Sequence, residues 1–296
     1  MPGLGYPGRS DRAGRGPGSG GVRGRAGWRR AQSEVDGGNV ARIVSVHSFR
    51  GGTGKSNVTA NLAVAVARQG ARVGVIDTDI QSPGIHVLFG LDEEAIDRSL
   101  NDYLWGNCPI DEAARDVGPM LKVGSGELAV MSGGIYLVPS SIKAGDITRV
   151  LREGYDVERL NDGFHELVER LNLDYLFIDT HPGLNEETLL SITISDVLVI
   201  LLRPDRQDYQ GTAVTVDVAR KLDVPELLLV VNSVLPSYDF GELGQRVAQT
   251  YGATVAGVLP LSDEVVQLAS GGIFSLREPE HHWSRELQRI AEQITA

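Results

Sequence analysis

Cysteine is almost absent from this chain: 296 residues contain one, Cys108. One thiol builds neither a disulfide framework nor a metal cluster ligated by several cysteines of the same chain. Long hydrophobic runs are also missing. No apolar stretch approaches the ~20 residues that span a bilayer, and the N-terminus lacks the apolar segment of a secretory signal. Positive charge is the third shortage, with 28 Lys and Arg against 39 Asp and Glu for a net −11. Residues 1–30 take seven arginines (Arg9, Arg12, Arg15, Arg23, Arg25, Arg29 and Arg30) against one acid, Asp11, so the remainder carries −17. An acidic body of this kind stays in solution and repels nucleic acid. These shortages suit a cytoplasmic enzyme of bacterial type.

What is present divides in two. Residues 1–38 are rich in Gly, Arg and Pro without an apolar period, the composition of a disordered tail. Such a tail serves either as an electrostatic arm for nucleic acid or an acidic lipid surface, or as an inert extension. Residues 39–296 read as one folded domain. Short apolar runs at Arg42–Val46, Arg72–Ile76, Tyr136–Val138, Tyr175–Ile178, Val197–Leu202, Leu227–Val231 and Val255–Leu259 have the character of strands buried on both faces. Helical stretches at Asn57–Arg68, Val157–Leu171, Gln210–Leu222 and Phe240–Tyr251 lie between several of them. The alternation predicts an α/β fold with a doubly wound, mainly parallel sheet flanked by helices. Residues 81–134 are less regular: Asp92–Trp105 reads as a short helix with Leu100, Tyr103 and Leu104 inward, and Gly118–Gly134 as a loop or hairpin.

The most specific signal is Arg50-Gly51-Gly52-Thr53-Gly54-Lys55-Ser56, which follows an apolar strand and opens a helix. Strand, glycine-rich turn, Lys-Ser and helix form the phosphate-binding loop arrangement. Glycines let consecutive N–H groups converge on one anion, and the helix N-terminus adds partial positive charge. Lys55 is suited to neutralise β- and γ-phosphates, and the Ser56 hydroxyl to hold Mg²⁺.

Ligands of doubly wound sheets bind at the carboxyl ends of strands, and further polar residues follow the other strands. Asp77 and Asp79, two apart, point to one side if the segment is extended. One then serves near Mg²⁺ and the other near an attacking water, unless both cap turns. The run Phe177-Ile178-Asp179 ends an apolar strand in the acid expected to orient a magnesium shell, and Pro182-Gly183 makes a turn able to move with a γ-phosphate. His181 is either a base or a packing residue of that loop. Asn232, offering donor and acceptor, suits an adenine edge or a turn cap, and Pro260-Leu261-Ser262 suits the other wall of a base pocket.

Together these residues resemble the MinD/ParA family of deviant Walker A ATPases, SIMIBI-type P-loop NTPases. The carriers are RGGTGKSN (50–57), DTDIQSPG (77–84), FIDTHPG (177–183), LLRPD (201–205), VNSV (231–234) and GVLP (257–260). The stretch from Ile80 to Gly90 looks closer to the MinD-like branch than to plasmid-partition ParA proteins. The resemblance implies a slow, partner-stimulated ATPase whose ATP is sandwiched, with Mg²⁺, between two subunits. It assigns nucleotide binding to Gly51, Gly52, Thr53, Gly54, Lys55, Ser56, Asn57, Asn232 and Pro260. Asp79 matches the residue that positions the attacking water, Ser56 the magnesium ligand, Asp179 the Walker B acid and Asn232 the adenine contact, with Asp77 in support. Where the family has a signature lysine that reaches the partner's phosphates, this chain has Arg50. Arginine is also cationic and binds phosphate bidentately, so Arg50 can act in trans.

Three functions follow. The first is a positioning ATPase, an ATP-dependent homodimer with an activator or cargo protein and a surface such as nucleoid or membrane. MinD proteins reach membranes by a C-terminal amphipathic helix. Here His282–Ile294 places Trp283, Leu287, Ile290 and Ile294 on one face, which also fits a helix packed on a core, and a further membrane tail is not expected. The second is a metallocluster carrier or reductase of the same superfamily, which needs paired cysteines at the dimer axis. The third is a nucleotide-binding scaffold that recruits partners without hydrolysis.

Overall fold

The computed structural model describes residues 41–123, 126–129 and 131–296; the arginine-rich segment 1–38 lies outside them. The strands are β1 (Arg42–His47), β2 (Val73–Asp77), β3 (Arg115–Asp116), β4 (Ile135–Val138), β5 (Tyr175–Asp179), β6 (Val197–Leu202), β7 (Glu226–Val234) and β8 (Thr254–Pro260). The helices are α1 (Lys55–Arg68), α2 (Ile85–Leu88), α3 (Leu100–Leu104), α4 (Ile110–Ala113), α5 (Ala144–Glu153) and α6 (Val157–Leu171), followed by α7 (Glu186–Ile194), α8 (Arg206–Lys221), α9 (Phe240–Tyr251), α10 (Asp263–Leu268), α11 (Phe274–Arg277) and α12 (His282–Thr295).

All eight strands join one sheet in the order β3-β4-β2-β5-β1-β6-β7-β8. Every pairing is parallel except β3 with β4, a two-residue antiparallel edge. The side-chain period of two sends alternate residues to opposite faces. Val44 and Val46 of β1, with Val197 and Val199 of β6, meet α1, α11 and α12. Ile43, Ile76 and Ile178 turn the other way onto α3, α4 and α6, and Leu198 and Ile200 onto α8 and α9. Both faces are therefore covered, as the unbroken apolar strands require. Ala and Val make up half of helix α1, and eleven of its residues are buried. It lies between the sheet and α12, whose Trp283, Leu287, Ile290 and Ile294 are all buried. That burial contributes about 2 kcal/mol per side chain and commits the last helix to the core.

Several elements differ from their sequence expectation. The helix expected at Asp92–Trp105 shrinks to α3, started by a capping box between Ser99 and Asp102; upstream, Asp92 closes a turn by accepting from Ala95 N at 2.9 Å. Helix α8 starts at Arg206 instead of Gln210, because Asp205 accepts from Gln207 N and Asp208 N and so satisfies two N–H groups of the first turn. Helices α5 and α7 were not anticipated. Within Gly118–Gly134, a 3-10 turn (Gly118–Met120) and an antiparallel bridge between Lys122 and Leu128 form a hairpin-like connection. Among the described residues no helix is long and apolar enough to cross a membrane.

Candidate active site

Strand β1 lies between β5 and β6 at the centre of the sheet, so the loop that follows it opens at the carboxyl ends of β1, β2 and β5. In that loop Gly52 (φ 77°) and Gly54 (φ 88°) adopt left-handed backbone, which side chains disfavour. Gly54 also has a neighbour that leaves no room: a Cβ there would sit 2.5 Å from Asn232 Nδ2. The Asn232 amide donates to Thr53 O at 2.7 Å, clamping the end of the loop to β7. Gly54 is the N-cap of the 14-residue α1 and offers no side-chain cap, so the first-turn N–H groups and the helix dipole are left for an anion. Gly54→Ala is expected to lower nucleotide affinity at least tenfold while circular dichroism stays native; unchanged affinity by calorimetry would refute the clamp.

Lys55 is the first residue of α1 and is buried. Its Nζ donates to Asp179 Oδ1 at 2.8 Å, from the end of β5. The Thr59 hydroxyl, one turn along α1, lies 3.2 Å from the same oxygen and bonds Lys55 O at 2.9 Å. Asp179 Oδ2 is buried and without a hydrogen-bond partner. One carboxylate oxygen is thus neutralised and the other remains available. That suits a residue orienting a metal's water shell, with the half-buried Ser56 on the facing first turn of α1. Asn57 follows on the same turn, and its Oδ1 accepts from Asn61 at 3.0 Å.

Asp77 ends β2 and Asp79 lies in the turn that follows. The chain turns directly after Asp77, which is fully buried and accepts from Asp79 N at 3.0 Å and Gly84 N at 3.3 Å. Asp77 therefore caps this turn, and Asp79 caps it too by accepting from Ser82 N at 3.2 Å. Burial first, then the adjacent Asp179 carboxylate, push its carboxyl up to about 8. Asp79 is left facing the site, 13% exposed, with Oδ1 3.7 Å from His181 Nε2. Burial raises its carboxyl above the usual range, against the pull of Lys55.

Below the loop, His47 Nδ1 meets the Thr180 hydroxyl at 2.8 Å. That hydroxyl bonds Val46 O at 3.0 Å, so the ring nitrogen is the donor. Burial, then the Lys55 charge, hold the imidazole neutral, its pKa down at about 3. The unfolded chain takes up a proton below about 6.5 and the folded one does not, so the stability His47 confers is present above that pH and drains away as pH falls toward 3. The slope approaches about 1.4 kcal/mol per pH unit. His47→Gln is expected to flatten the dependence of the urea midpoint between pH 7 and 5; an unaltered slope would contradict a neutral buried ring.

Arg50 Nη1 lies 3.9 Å from Asp205 Oδ1 and 3.9 Å from Asp208 Oδ1, and its side chain is 40% exposed. Arg203 approaches the same acids more closely, at 3.5 and 3.1 Å. Both separations exceed hydrogen-bond length, so Arg50, itself 40% exposed, is only loosely held although Asp208 is buried. Asn232 and Pro260 sit near the ends of the adjacent strands β7 and β8. The β7 strand continues two residues past Asn232, through a bulge where Ser233 takes φ 58°.

The family description "ParA: NUBPL iron-transfer P-loop NTPase" matches residues 39–295. The chain belongs to the ParA family of P-loop NTPases. It is 30% identical over 261 residues to an iron-sulfur cluster carrier protein of Pseudomonas fragi, covering 82% of this chain and 81% of the relative. It is 29% identical over 257 residues to an uncharacterised ATP-binding protein of Methanocaldococcus jannaschii, covering 86% and 88%. Its fold is similar to the septum site-determining protein MinD of Pyrococcus horikoshii complexed with Mg-ADP, with TM-score 0.69, 20% identity, and coverage of 86% of this chain and 96% of that one. A P-loop NTPase binds a nucleotide, and the glycine-rich loop with the buried Lys55 at the head of α1 fits that ligand.

Three parts of this ParA-family site escaped the sequence reading. Thr59 could have been found as the residue one helical turn after Lys55. The His47–Thr180 pair, separated by 133 positions, and the link from Arg50 to Asp205 and Asp208 carry no local signal.

Proposed function

We propose that this protein is an ATP-binding and ATP-hydrolysing dimerisation switch that positions or recruits a cellular cargo, built on a domain spanning 39–296. The observation that carries the proposal is the convergence of Lys55, Asp179 and Asp79 at one end of the sheet, with the cationic Arg50 loosely held beside them. In this reading the loop from Gly51 to Asn57 wraps the phosphates, and Lys55 neutralises them. Ser56 and Asp179 hold Mg²⁺, which supplies charge stabilisation on the phosphoryl oxygens. Asp79 orients the attacking water, Asn232 and Pro260 border the base, and Arg50 reaches the partner's phosphates in trans. An activator or cargo protein accelerates turnover, and the arginines of 1–38 offer contact with nucleic acid or an acidic surface.

A second reading is cluster transfer, supported by the family description and the Pseudomonas relative. Iron–sulfur clusters are held by cysteine thiolates. Cys108 is the single cysteine and is buried, between α3 and α4, and burial raises its thiol above the usual range. That favours the switch. A scaffold without turnover would lack any ATPase that Asp79→Ala could abolish. The deciding experiment is molar mass by light scattering with ADP and with ATP, in the Asp79→Ala background. A mass that doubles with ATP supports the switch; a mass indifferent to bound nucleotide refutes it.

A further inference from the structure

His181 stands in the turn after β5, between Asp179 and Pro182-Gly183. Its Nδ1 is 2.6 Å from Pro182 O. A carbonyl only accepts, so Nδ1 carries the hydrogen and, in the neutral ring, Nε2 presents a lone pair. The ring's surroundings are fixed. The Thr188 hydroxyl donates to His181 O at 3.2 Å, Asn185 Nδ2 lies 3.3 Å from Nδ1 while its Oδ1 caps α7, and Gly183 N donates to Ser48 O at 3.3 Å. This last bond ties the turn to the base of the phosphate loop. The Nε2 lone pair is thus held 3.7 Å from Asp79 Oδ1, with the imidazole 24% and the carboxylate 13% exposed. Two acceptors cannot bond each other, but one water can donate a hydrogen to each.

We propose that His181 and Asp79 together hold the attacking water of the hydrolytic step, one O–H directed to Nε2 and the other to Oδ1. The inference rests on the reading of Asp79 as a water-positioning residue and adds a second acceptor to it. With both hydrogens engaged, the water's lone pairs are left for phosphorus. The water oxygen bonds to the γ-phosphorus as the bridging P–O bond breaks. The electron pair of that bond leaves on ADP, and both water protons depart with the phosphate as dihydrogen phosphate. A single acceptor would leave the water free to rotate about one hydrogen bond, and misorientation of a nucleophile costs about a hundredfold in rate. His181 is a positioning residue in this scheme; it need not change protonation state.

The test compares His181→Phe, which keeps a planar ring without the acceptor, with His181→Gln, which restores an acceptor, and runs Asp79→Ala beside them. Steady-state kcat and KM are read together with calorimetric affinity for ATPγS and molar mass in ATP. His181→Phe is expected to lose tenfold to hundredfold in kcat, with KM, ATPγS affinity and the ATP-dependent mass unchanged, and His181→Gln to recover part of the loss. Wild-type kcat in His181→Phe, with Asp79→Ala inactive, would overturn the inference while leaving the Asp79 reading intact. Wild-type kcat in Asp79→Ala would overturn both. A loss of kcat matched by an equal loss of ATPγS affinity would mark a structural residue and also overturn it. Should the phenylalanine variant not fold, His181→Leu against His181→Gln makes the same comparison.

Discussion

Lys55→Ala is expected to abolish nucleotide binding and to lower unfolding stability by about 3–5 kcal/mol, the cost of breaking a buried ion pair from one side. Lys55 and Asp179 are both nearly inaccessible, with side chains 7% and 1% exposed and 2.8 Å between Nζ and Oδ1. Removing the ammonium leaves the Asp179 carboxylate beside Asp77 with only the Thr59 hydroxyl as a side-chain donor, and it raises the Asp77 carboxyl further. The loss of binding has a different origin: the anion site at the head of α1 keeps its N–H groups and loses its unit charge. The two effects separate in the double variant Lys55→Ala, Asp179→Asn. It is expected to recover most of the urea midpoint, since no buried charge is left unpaired, and none of the ATP affinity. If the single variant matched wild type in urea, the pair would be solvated and the buried-charge account wrong. If it bound ATP normally, the phosphate-loop reading would fail.

Asp79→Ala is the second large effect. It is expected to bind ATP with near wild-type affinity, to lose at least a hundredfold in kcat, and to accumulate as the ATP-bound dimer. The polar partners of Asp79 lie outside the glycine-rich loop. Its carboxylate faces His181 and accepts from Ser82 N at 3.2 Å. Deleting it removes an acceptor for the attacking water, while the hydrogen bonds of Asp77 to the backbone of the same turn remain. Asp79→Asn keeps an acceptor for Ser82 N and separates turn stability from catalysis. Both variants are expected to stall turnover, and only the alanine to loosen the turn in hydrogen exchange. Hydrolysis by Asp79→Ala at the wild-type rate would remove Asp79 from the mechanism.

Much of the architecture was legible because the signals are local. Strands buried on both faces need unbroken apolar runs, and those at β1, β5, β6 and β8 lie within one residue of where the sequence puts them at either end, while β7 runs three residues further, to Val234. Elements lacking a clean period were lost. Helix α7 carries Glu186 and Glu187 and then Thr188, Ser191 and Thr193 set among Leu and Ile, which reads as neither amphipathic helix nor alternating strand. Helix α5 has an amphipathic pattern but buries only Val150, so little packing announces it. Of the acids at 92–97, Asp92 caps a turn by accepting from Ala95 N and Asp97 pairs with Arg115; Asp competes for backbone N–H groups wherever a turn can form, so the helix starts only at Leu100.

The candidate site divides along the same line. By itself the sequence determined the phosphate loop, since Gly52, Gly54, Lys55 and the head of α1 are contiguous and their backbone demands are met within a few residues. It also determined that acids would end the neighbouring strands. Only the tertiary structure decided how those acids divide the work. Lys55 meets Asp179 across 124 positions because β1 and β5 are neighbours, and Asp77 becomes a turn cap because the chain bends directly after β2. Arg50 comes near Asp205 and Asp208 because β6 flanks β1 on its other side. Strand order brings these charges together, and it is set by how whole helices pack on the two faces of the sheet, a sum over many weak contacts that no short stretch of residues encodes.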